Sequence, residues 1–276
     1  ILLMVAVFLT LQGMPALTAE DEAVSGGEGF FAYVWPLVVG TIVASIIAMV
    51  VATPVAVGIA LFVSHYAPRR IGAAIGFVID LLAAVPSVVF GMWGLSVFAG
   101  ELVPLFQWLE EYLGFLPFFE SASATGRTLL TAALVLAVMI LPIITSVSRE
   151  VFLQTPSLHE EAALALGATK WEMIRTAVLP FGMPGVIGGV MLGLGRALGE
   201  TMAVTLILSP GILTWNIIGS GNNTIPAEIA LNFPEAAGLR LSELIAAGLV
   251  LFIITLAVNL FARWIVEKRS EFSGAN

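Results

Sequence analysis

The feature that most constrains this chain is a series of long apolar stretches that carry almost no charge. Residues 128–148, for example, contain no Asp, Glu, Lys or Arg. A helix needs about 20 apolar residues to cross a bilayer, and runs this uniform do not fit the alternating strands of a membrane barrel. The stretches of this kind are 1–17, 36–63, 71–98, 127–148, 183–209 and 240–266. They predict an all-α, polytopic transmembrane bundle with about six spans, folded as one domain over residues 1–276.

Composition agrees with a membrane protein and excludes several other classes. Apolar residues make up 59% of the chain and charged residues 11%, against about 25% charged residues in a soluble domain. A nucleic-acid-binding protein would need basic patches, so we expect no nucleic-acid partner and expect membrane lipid around the chain. There is no Cys and there are only two His, so we predict no metal site and no thiol chemistry. The chain opens on Ile1, and we expect the natural N-terminus to lie upstream; a signal-peptide core is the alternative for residues 1–17.

The basic residues predict the orientation of the spans. Eight of the eleven Lys and Arg follow the second, fourth and sixth stretches: Arg69, Arg70, Arg149, Lys170, Arg175, Arg263, Lys268 and Arg269. By the positive-inside rule, both termini face the cytoplasm. The acidic loops 99–126 and 210–239 then face outward, and the leucine spacing of the first predicts a short helix on the outer membrane surface. We expect a bacterial cytoplasmic (inner) membrane location.

The cytoplasmic loop 149–180 has the sequence of a structured segment rather than a simple connection. Ser157-Leu-His-Glu160 fits a capping box, in which the Ser and Glu side chains bond backbone amides at the start of a helix. Gly167 is placed to end that helix in a left-handed conformation. Thr169-Lys-Trp-Glu172 is a second capping box, and it predicts another helix that ends near Leu179-Pro180. Two interpretations are open: a hairpin that closes the bundle, or a rigid surface on which a cytoplasmic partner docks.

The same loop carries a family resemblance. Glu161-Ala162-Ala163, then Gly167, Ala177 and Leu179-Pro180 at matching intervals, resemble the EAA loop of ABC-importer permeases, except that the pattern has Ile where this chain has Ala177. The resemblance implies a type I permease fold and a coupling helix that sits against an ATPase subunit, with Ser157, Glu160, Glu161, Ala162, Ala163 and Gly167 as the coupling residues. The chain has no P-loop motif, so ATP and Mg²⁺ would be bound by the partner, and we expect no cofactor in this chain.

The fifth stretch places charged residues inside the membrane. Arg196 lies at its midpoint and Glu200 four residues later, which puts both on nearly one face of a helix. A charge at the bilayer centre costs at least about 2.5–3.5 kcal/mol, so both must face the protein interior or a wet cavity. One interpretation is that they neutralise each other or hold subunits in register. The other is that Arg196 binds a passing anion, because its planar guanidinium suits phosphate, while Glu200 orients or releases it. The two roles can coexist.

The segment Gly195-Arg-Ala-Leu-Gly-Glu-Thr-Met-Ala-Val204 resembles the permeases of phosphate ABC importers, and its ending resembles the PstC-type rather than the PstA-type subunit. Phe30–Pro36 and Ala84–Gly91 are similar to the same subunit. The resemblance implies phosphate transport by alternating access, and carries the family's functional Arg and Glu onto Arg196 and Glu200. It also implies a heterodimer with a homologous PstA-type permease, two ATPase subunits and an extracytoplasmic phosphate-binding protein.

Other interpretations stay open beside this one. Asp80 lies inside the third stretch, either in helix packing or lining the path. The substrate can be another small oxyanion, because the guanidinium alone does not select phosphate. A secondary anion transporter without an ATPase explains Arg196 but not the loop 149–180. An intramembrane enzyme would need a catalytic motif that the sequence lacks, so we expect no enzyme activity in this chain.

Overall fold

The computed structural model describes residues 1–211 and 215–270, apart from the side chains of residues 69, 262 and 265–270, and it is helical throughout. Its helices are α1 Leu2–Leu17, α2 Phe30–Leu61, α3 Arg69–Ala83, α4 Ser87–Trp93, α5 Ala99–Leu113, α6 Leu129–Leu153, α7 Ser157–Ala165, α8 Lys170–Met173, α9 Leu179–Gly199, α10 Met202–Ile207, α11 Ile225–Asn232 and α12 Leu239–Ser270. The described part of the chain has no β-strand; Pro210 and Gly221 form one isolated bridge.

Long apolar helices dominate the described part of the chain. Five stretches are long and apolar enough to cross a membrane, and they are Phe30–Tyr66, Ser87–Leu113, Leu129–Leu153, Lys170–Gly199 and Leu239–Phe261. The first predicted span forms α1, which is apolar but shorter than the others. The predicted all-α, multi-pass membrane fold is confirmed.

The prediction of one span over 71–98 is wrong. Helix α3 ends at Ala83, and α4 begins at Ser87, directly after Pro86. Proline disfavours the helical conformation in the residue before it, which agrees with the end of α3 before Val85. Helix α4 runs through a wider π turn at Gly94–Phe98 into α5. The predicted surface helix in the loop 99–126 is therefore the last part of a membrane-length helix.

The prediction of a fifth span over 183–209 is also wrong at both ends. The apolar helix begins at Lys170 and passes Pro180, because a π turn at Ile174–Val178 joins α8 to α9. Turns of this kind loosen the regular hydrogen-bond ladder and accompany residues that interrupt it. The helix then stops at Gly199, and a separate short helix, α10, starts at Met202.

The helices form two compact units. Unit 1 contains residues 1–48, 86–136 and 197–257, and unit 2 contains residues 49–85, 137–196 and 258–276. The core of unit 1 includes Phe30, Val34 and Ile225. The core of unit 2 is built around Phe152 and Ile174, both fully buried.

Glycines let α9 approach α6 closely within unit 2. The glycines that face α6 are Gly182, Gly185, Gly189 and Gly193, and their nearest neighbours are Phe152, Val151, Val147 and Ile144. A side chain at any of these glycines would collide with or crowd the neighbour. Gly188, Gly195 and Gly199 have no atom within 4 Å of the position of a Cβ. Helix α9 therefore has one packed glycine face and one open glycine face.

Candidate functional site

The first capping box predicted in the loop 149–180 is not formed. Helix α7 begins at Ser157, its cap residue is Pro156, and no side chain bonds the cap. Glu160 instead lies beside His65, with 3.3 Å between Glu160 Oε1 and His65 Nε2. A partner 95 residues away in the chain has taken the carboxylate that the local pattern assigned to the helix start.

The second capping box and the glycine turn are as predicted. Gly167 has a φ of +84°, the left-handed conformation expected of a glycine that ends a helix. The Glu172 backbone N–H donates to Thr169 Oγ1 over 3.3 Å, and the Thr169 N–H donates to Glu172 Oε2 over 2.7 Å. Together these contacts fix the angle between α7 and α8.

Helix α7 leaves most of its surface uncovered. None of its nine residues, all described, is buried. Leu158 is 73% exposed, and Leu166, directly after the helix, is 91% exposed. Glu161 and Ala162 are exposed, whereas Ala163 packs against the core of unit 2. Exposed apolar residues grouped on a structured loop are typical of a protein contact surface.

Arg196 lies in the last turn of α9, and one of its donors has no partner in the part of the chain that the structure describes. The side chain is half-buried, and its Nε is buried without a hydrogen-bond partner among the described residues. Gly195 and Gly199, its neighbours in α9, present open space rather than side chains. Buried polar groups in proteins are nearly always bonded, so the free Nε marks a place where a further group can bind.

Glu200 is not part of the helix that carries Arg196, contrary to the prediction of one helix through both residues. Helix α9 ends at Gly199, and Glu200 lies in the break before α10. Its Oε1 accepts a hydrogen bond from the Ala203 N–H over 3.2 Å. The carboxylate thereby satisfies one of the unpaired amides at the start of α10. The chain passes from unit 2 to unit 1 directly after Arg196, so the two residues belong to different units.

The Glu200 side chain is 8% exposed and lines a crevice in unit 1. Thr41 and Thr224 line the same crevice, which is too narrow for a water molecule. Thr41 Oγ1 donates to the Leu37 carbonyl and accepts from the Ile225 N–H. The other lining residues are apolar, and in this conformation the crevice is closed to an ion.

Asp80 has a partner on a neighbouring helix. Its side chain is exposed on α3, and its Oδ1 accepts a hydrogen bond from Ser146 Oγ of α6 over 3.2 Å. The contact is compatible with either of the roles that we predicted for Asp80.

An ion network in unit 1 was missed by the sequence reasoning. Arg240 donates to Glu228 Oε1 over 2.6 Å and to Glu243 Oε2 over 2.8 Å. Ser25 and Tyr33 complete it: Ser25 bonds Glu243, and the Tyr33 hydroxyl donates to Glu228 over 3.0 Å. The spacing of Arg240 and Glu243 on one helix face was the only local signal, because the other members are far away in the chain.

A second arginine of unit 1 holds the end of α10. Arg127 Nε donates to the Ile207 carbonyl over 3.2 Å, and Nη2 donates to the Leu208 carbonyl over 2.7 Å. A cation at the carbonyl end of a helix is favourable. Among the described residues, no group of three or more His, Cys, Asp or Glu could hold a metal ion.

Comparison with known proteins decides the family. A family model described as the inner membrane component of binding-protein-dependent transport systems matches residues 52–270. The chain belongs to this family. It is a multi-pass membrane protein and a transport permease subunit rather than a catalytic one.

Relatives agree with this assignment. The "Phosphate transport system permease protein PstC 2" of Mycobacterium tuberculosis is 46% identical over 95% of this chain and 85% of its own length. The PstC protein of Mycobacterium leprae is 44% identical over 96% of this chain and 87% of its own length. The resemblance of the loop and of Gly195–Val204 to such permeases is confirmed by these matches.

Solved structures show the same fold at low sequence identity. The MetNI methionine ABC transporter matches with a TM-score of 0.57 and 18% identity, over 87% of this chain and 96% of that chain. A bacterial alginate ABC transporter matches with a TM-score of 0.65 and 17% identity, over 95% and 88%. The predicted type I ABC-importer permease fold is confirmed.

Proposed function

We propose that this chain is the PstC-type permease subunit of an ATP-driven importer that carries inorganic phosphate into the cytoplasm by alternating access. Its relatives are named as phosphate transport permeases, and its fold is that of ABC-importer permeases. The partners in this proposal are a PstA-type permease, two ATPase subunits that bind ATP and Mg²⁺, and an extracytoplasmic phosphate-binding protein. Both termini face the cytoplasm.

The observation that carries the substrate proposal is the free donor of Arg196. A guanidinium offers paired N–H groups that match two oxygens of a phosphate, and it stays charged at all working pH values. Arg196 keeps a buried Nε without a partner in the described part of the chain, beside glycines with open space. An incoming oxyanion supplies the missing acceptors and neutralises the charge.

Glu200 has a different role in this proposal. Its carboxylate holds the start of α10 while lining a crevice that is closed in this conformation. A negative charge beside the path repels phosphate, so its movement favours release rather than binding. Glu200 therefore orients or releases the anion, and Arg196 binds it. Asp80 is a secondary candidate for the path.

The coupling surface in this proposal is the exposed face of α7 with the turn after it. Leu158, Glu161 and Ala162 face solvent and are free to enter a groove of an ATPase subunit. The capping box at Thr169 and the turn at Gly167 keep this surface stiff, so a movement of the ATPase is passed to the helices.

Reconstitution tests the function. Vesicles containing the permease pair, the two ATPase subunits and the phosphate-binding protein should accumulate radiolabelled phosphate only when ATP is supplied on the ATPase side. Vesicles without the ATPase subunits are the matched control, and they should show no uptake. Unchanged uptake in that control would instead support a secondary transporter. Stronger competition by sulfate than by unlabelled phosphate would indicate another oxyanion as substrate.

A further inference from the structure

The C-terminal end of α2 contacts the loop 149–180, here called the docking loop, at two points within unit 2. Helix α2 ends in a π turn at Phe62–Tyr66. In that turn, His65 Nε2 lies 3.3 Å from Glu160 Oε1 of α7. The next residue, Tyr66, has the Lys170 ammonium 4.9 Å above its ring centre. Two consecutive residues of one turn therefore hold both helices of the loop.

The His65 contact is the more buried of the two. The side chain of His65 is 8% exposed and that of Glu160 is 27% exposed. His65 Nδ1 lies 2.7 Å from Ser64 Oγ, and Ser64 Oγ donates to the Leu61 carbonyl over 3.3 Å. The imidazole is thus fixed between two oxygens, one from its own turn and one from α7. A ring held in this way passes a displacement of Glu160 to the backbone of α2.

The Tyr66 contact is weaker because it is open to solvent. Tyr66 is 45% exposed, and Lys170 is also exposed. Contacts between a cation and an aromatic ring weaken when water competes for the cation. We therefore expect it to support the His65 contact rather than to replace it.

Helix α7 also packs against α8 and the π turn at Ile174–Val178, both within the same loop. None of its residues is buried, and Ala163 is its contribution to the unit 2 core. An apolar contact of one methyl group fixes the distance between two helices but resists sliding poorly. Glu160 adds to this a directional side-chain contact with the π turn at the end of α2.

Helix α2 also contributes to the crevice that Glu200 lines, so a movement of its end matters for that crevice. The same helix contributes Thr41 to the crevice that Glu200 lines, and Thr41 bonds the Ile225 N–H. We propose that His65 and Glu160 are positioning residues that transmit movement of the docking loop to α2, with Tyr66 and Lys170 as a second, weaker link. This inference rests on the proposed function, because it needs an ATPase that moves α7.

The test compares phosphate uptake and ATP hydrolysis in the same vesicles, using the complete reconstituted complex. His65→Ala and Glu160→Gln should each lower the phosphate transported per ATP hydrolysed by roughly fivefold, while hydrolysis continues. The double variant should be no worse than either single variant, because both changes remove one contact. His65→Gln keeps a donor of similar reach and should recover part of the ratio.

Two matched controls separate this role from general damage to the loop. Arg70 follows the same π turn of α2, lies outside the coupling surface and is exposed, so Arg70→Gln should leave the ratio unchanged. At the second link, Tyr66→Phe keeps the ring and should leave the ratio unchanged, whereas Tyr66→Leu should lower it, by less than the His65 variants do.

The outcomes distinguish the inference from the proposed function. Wild-type vesicles that fail to take up phosphate contradict the proposed function. Wild-type uptake with an unchanged ratio in the His65 and Glu160 variants overturns the inference alone. Losses that multiply in the double variant also overturn it, because they show two independent effects. Failure of His65→Gln and Glu160→Gln to assemble with the ATPase would show that the contact only stabilises the fold, and would overturn it as well.

Discussion

The arginines of unit 1 and those of unit 2 differ in whether their side chains have hydrogen-bond partners. In unit 1, Arg240 bonds two carboxylates, and Arg127 bonds two backbone carbonyls. In unit 2, Arg149 and Arg196 each keep a buried Nε that has no hydrogen-bond partner in the described part of the chain. Both pairs lie in or next to apolar helices, so the difference is in the partners and not in the general surroundings.

The difference separates arginines that hold the fold from arginines that are free to bind something else. Removing one member of a buried ion pair leaves the other uncompensated and is strongly destabilising. Removing an arginine that bonds no carboxylate leaves no uncompensated charge behind. We therefore expect its removal to affect ligand binding rather than folding. Arg240 and Arg196 should therefore respond to mutation in different assays.

The largest effect on stability is expected at Arg240. Arg240→Ala leaves Glu243, which is 1% exposed, and Glu228 without their cation, so we expect a loss of about 3–5 kcal/mol. Thermal unfolding of the purified complex in detergent measures it, and Arg240→Lys, which keeps the charge, should lose less. An unfolding temperature equal to that of the wild type would contradict the claim that Arg240 stabilises the fold.

The next effect tests the packing of unit 2. Gly185→Leu places a side chain where Val151 already sits, and overpacking of this kind costs about 1–3 kcal/mol. Gly188→Ala, on the open face of the same helix, is the matched control and should have little effect. Equal unfolding temperatures for the two variants would contradict the assignment of one packed and one open glycine face.

A smaller effect on folding but a clear effect on coupling is expected at Gly167. Its φ of +84° costs a residue with a Cβ about 1–2 kcal/mol, so Gly167→Val should change the angle between α7 and α8. ATP hydrolysis should continue while phosphate uptake falls. Gly167→Asn, which tolerates the left-handed conformation better, should couple more normally. Full uptake in the valine variant would argue against a rigid docking loop.

The smallest effect on stability is expected at Arg149. This variant tests whether the arginines of unit 2 contribute to folding. The Arg149 guanidinium packs against the backbone of α3 at Gly76, where an added Cβ would lie 3.0 Å from Arg149 Cζ. Its Nε has no hydrogen-bond partner among the described residues. Arg149→Gln should therefore change the free energy of unfolding by about 1 kcal/mol or less. A loss as large as that of Arg240→Ala would show that unit 2 also depends on its arginines for folding.

The long apolar helices could be predicted from the sequence because lipid imposes both their length and their composition. The breaks could not be placed as well. A proline such as Pro86 can bend a helix or end it, and the sequence does not decide which. Helix α9 stops at Gly199, and the Glu200 carboxylate accepts a hydrogen bond from the Ala203 N–H at the start of α10, a contact that helical periodicity does not reveal.

The capping boxes show the same limit on a smaller scale. Thr169 and Ser157 stand in the same pattern, yet only the first forms the predicted bonds. In α7 the cap position belongs to Pro156, so Ser157 lies inside the helix, and the Glu160 carboxylate lies beside His65, far away in the sequence. The network of Arg240 was missed for the same reason, since Ser25 and Glu243 are 218 residues apart. Local patterns predict local bonds only when no distant residue competes for the same atoms.

The central claim is that Arg196 binds the transported anion, and uptake by an Arg196→Gln complex tests it most directly. We expect phosphate uptake to fall by roughly 100-fold or more, as for the loss of a charge-assisted bidentate contact, while the complex assembles and unfolds at the wild-type temperature. Arg196→Lys should recover only part of the uptake, because a lysine offers no planar pair of donors. Arg263→Gln, at an exposed arginine of α12, should transport normally. Wild-type uptake by the Arg196→Gln complex would contradict the account.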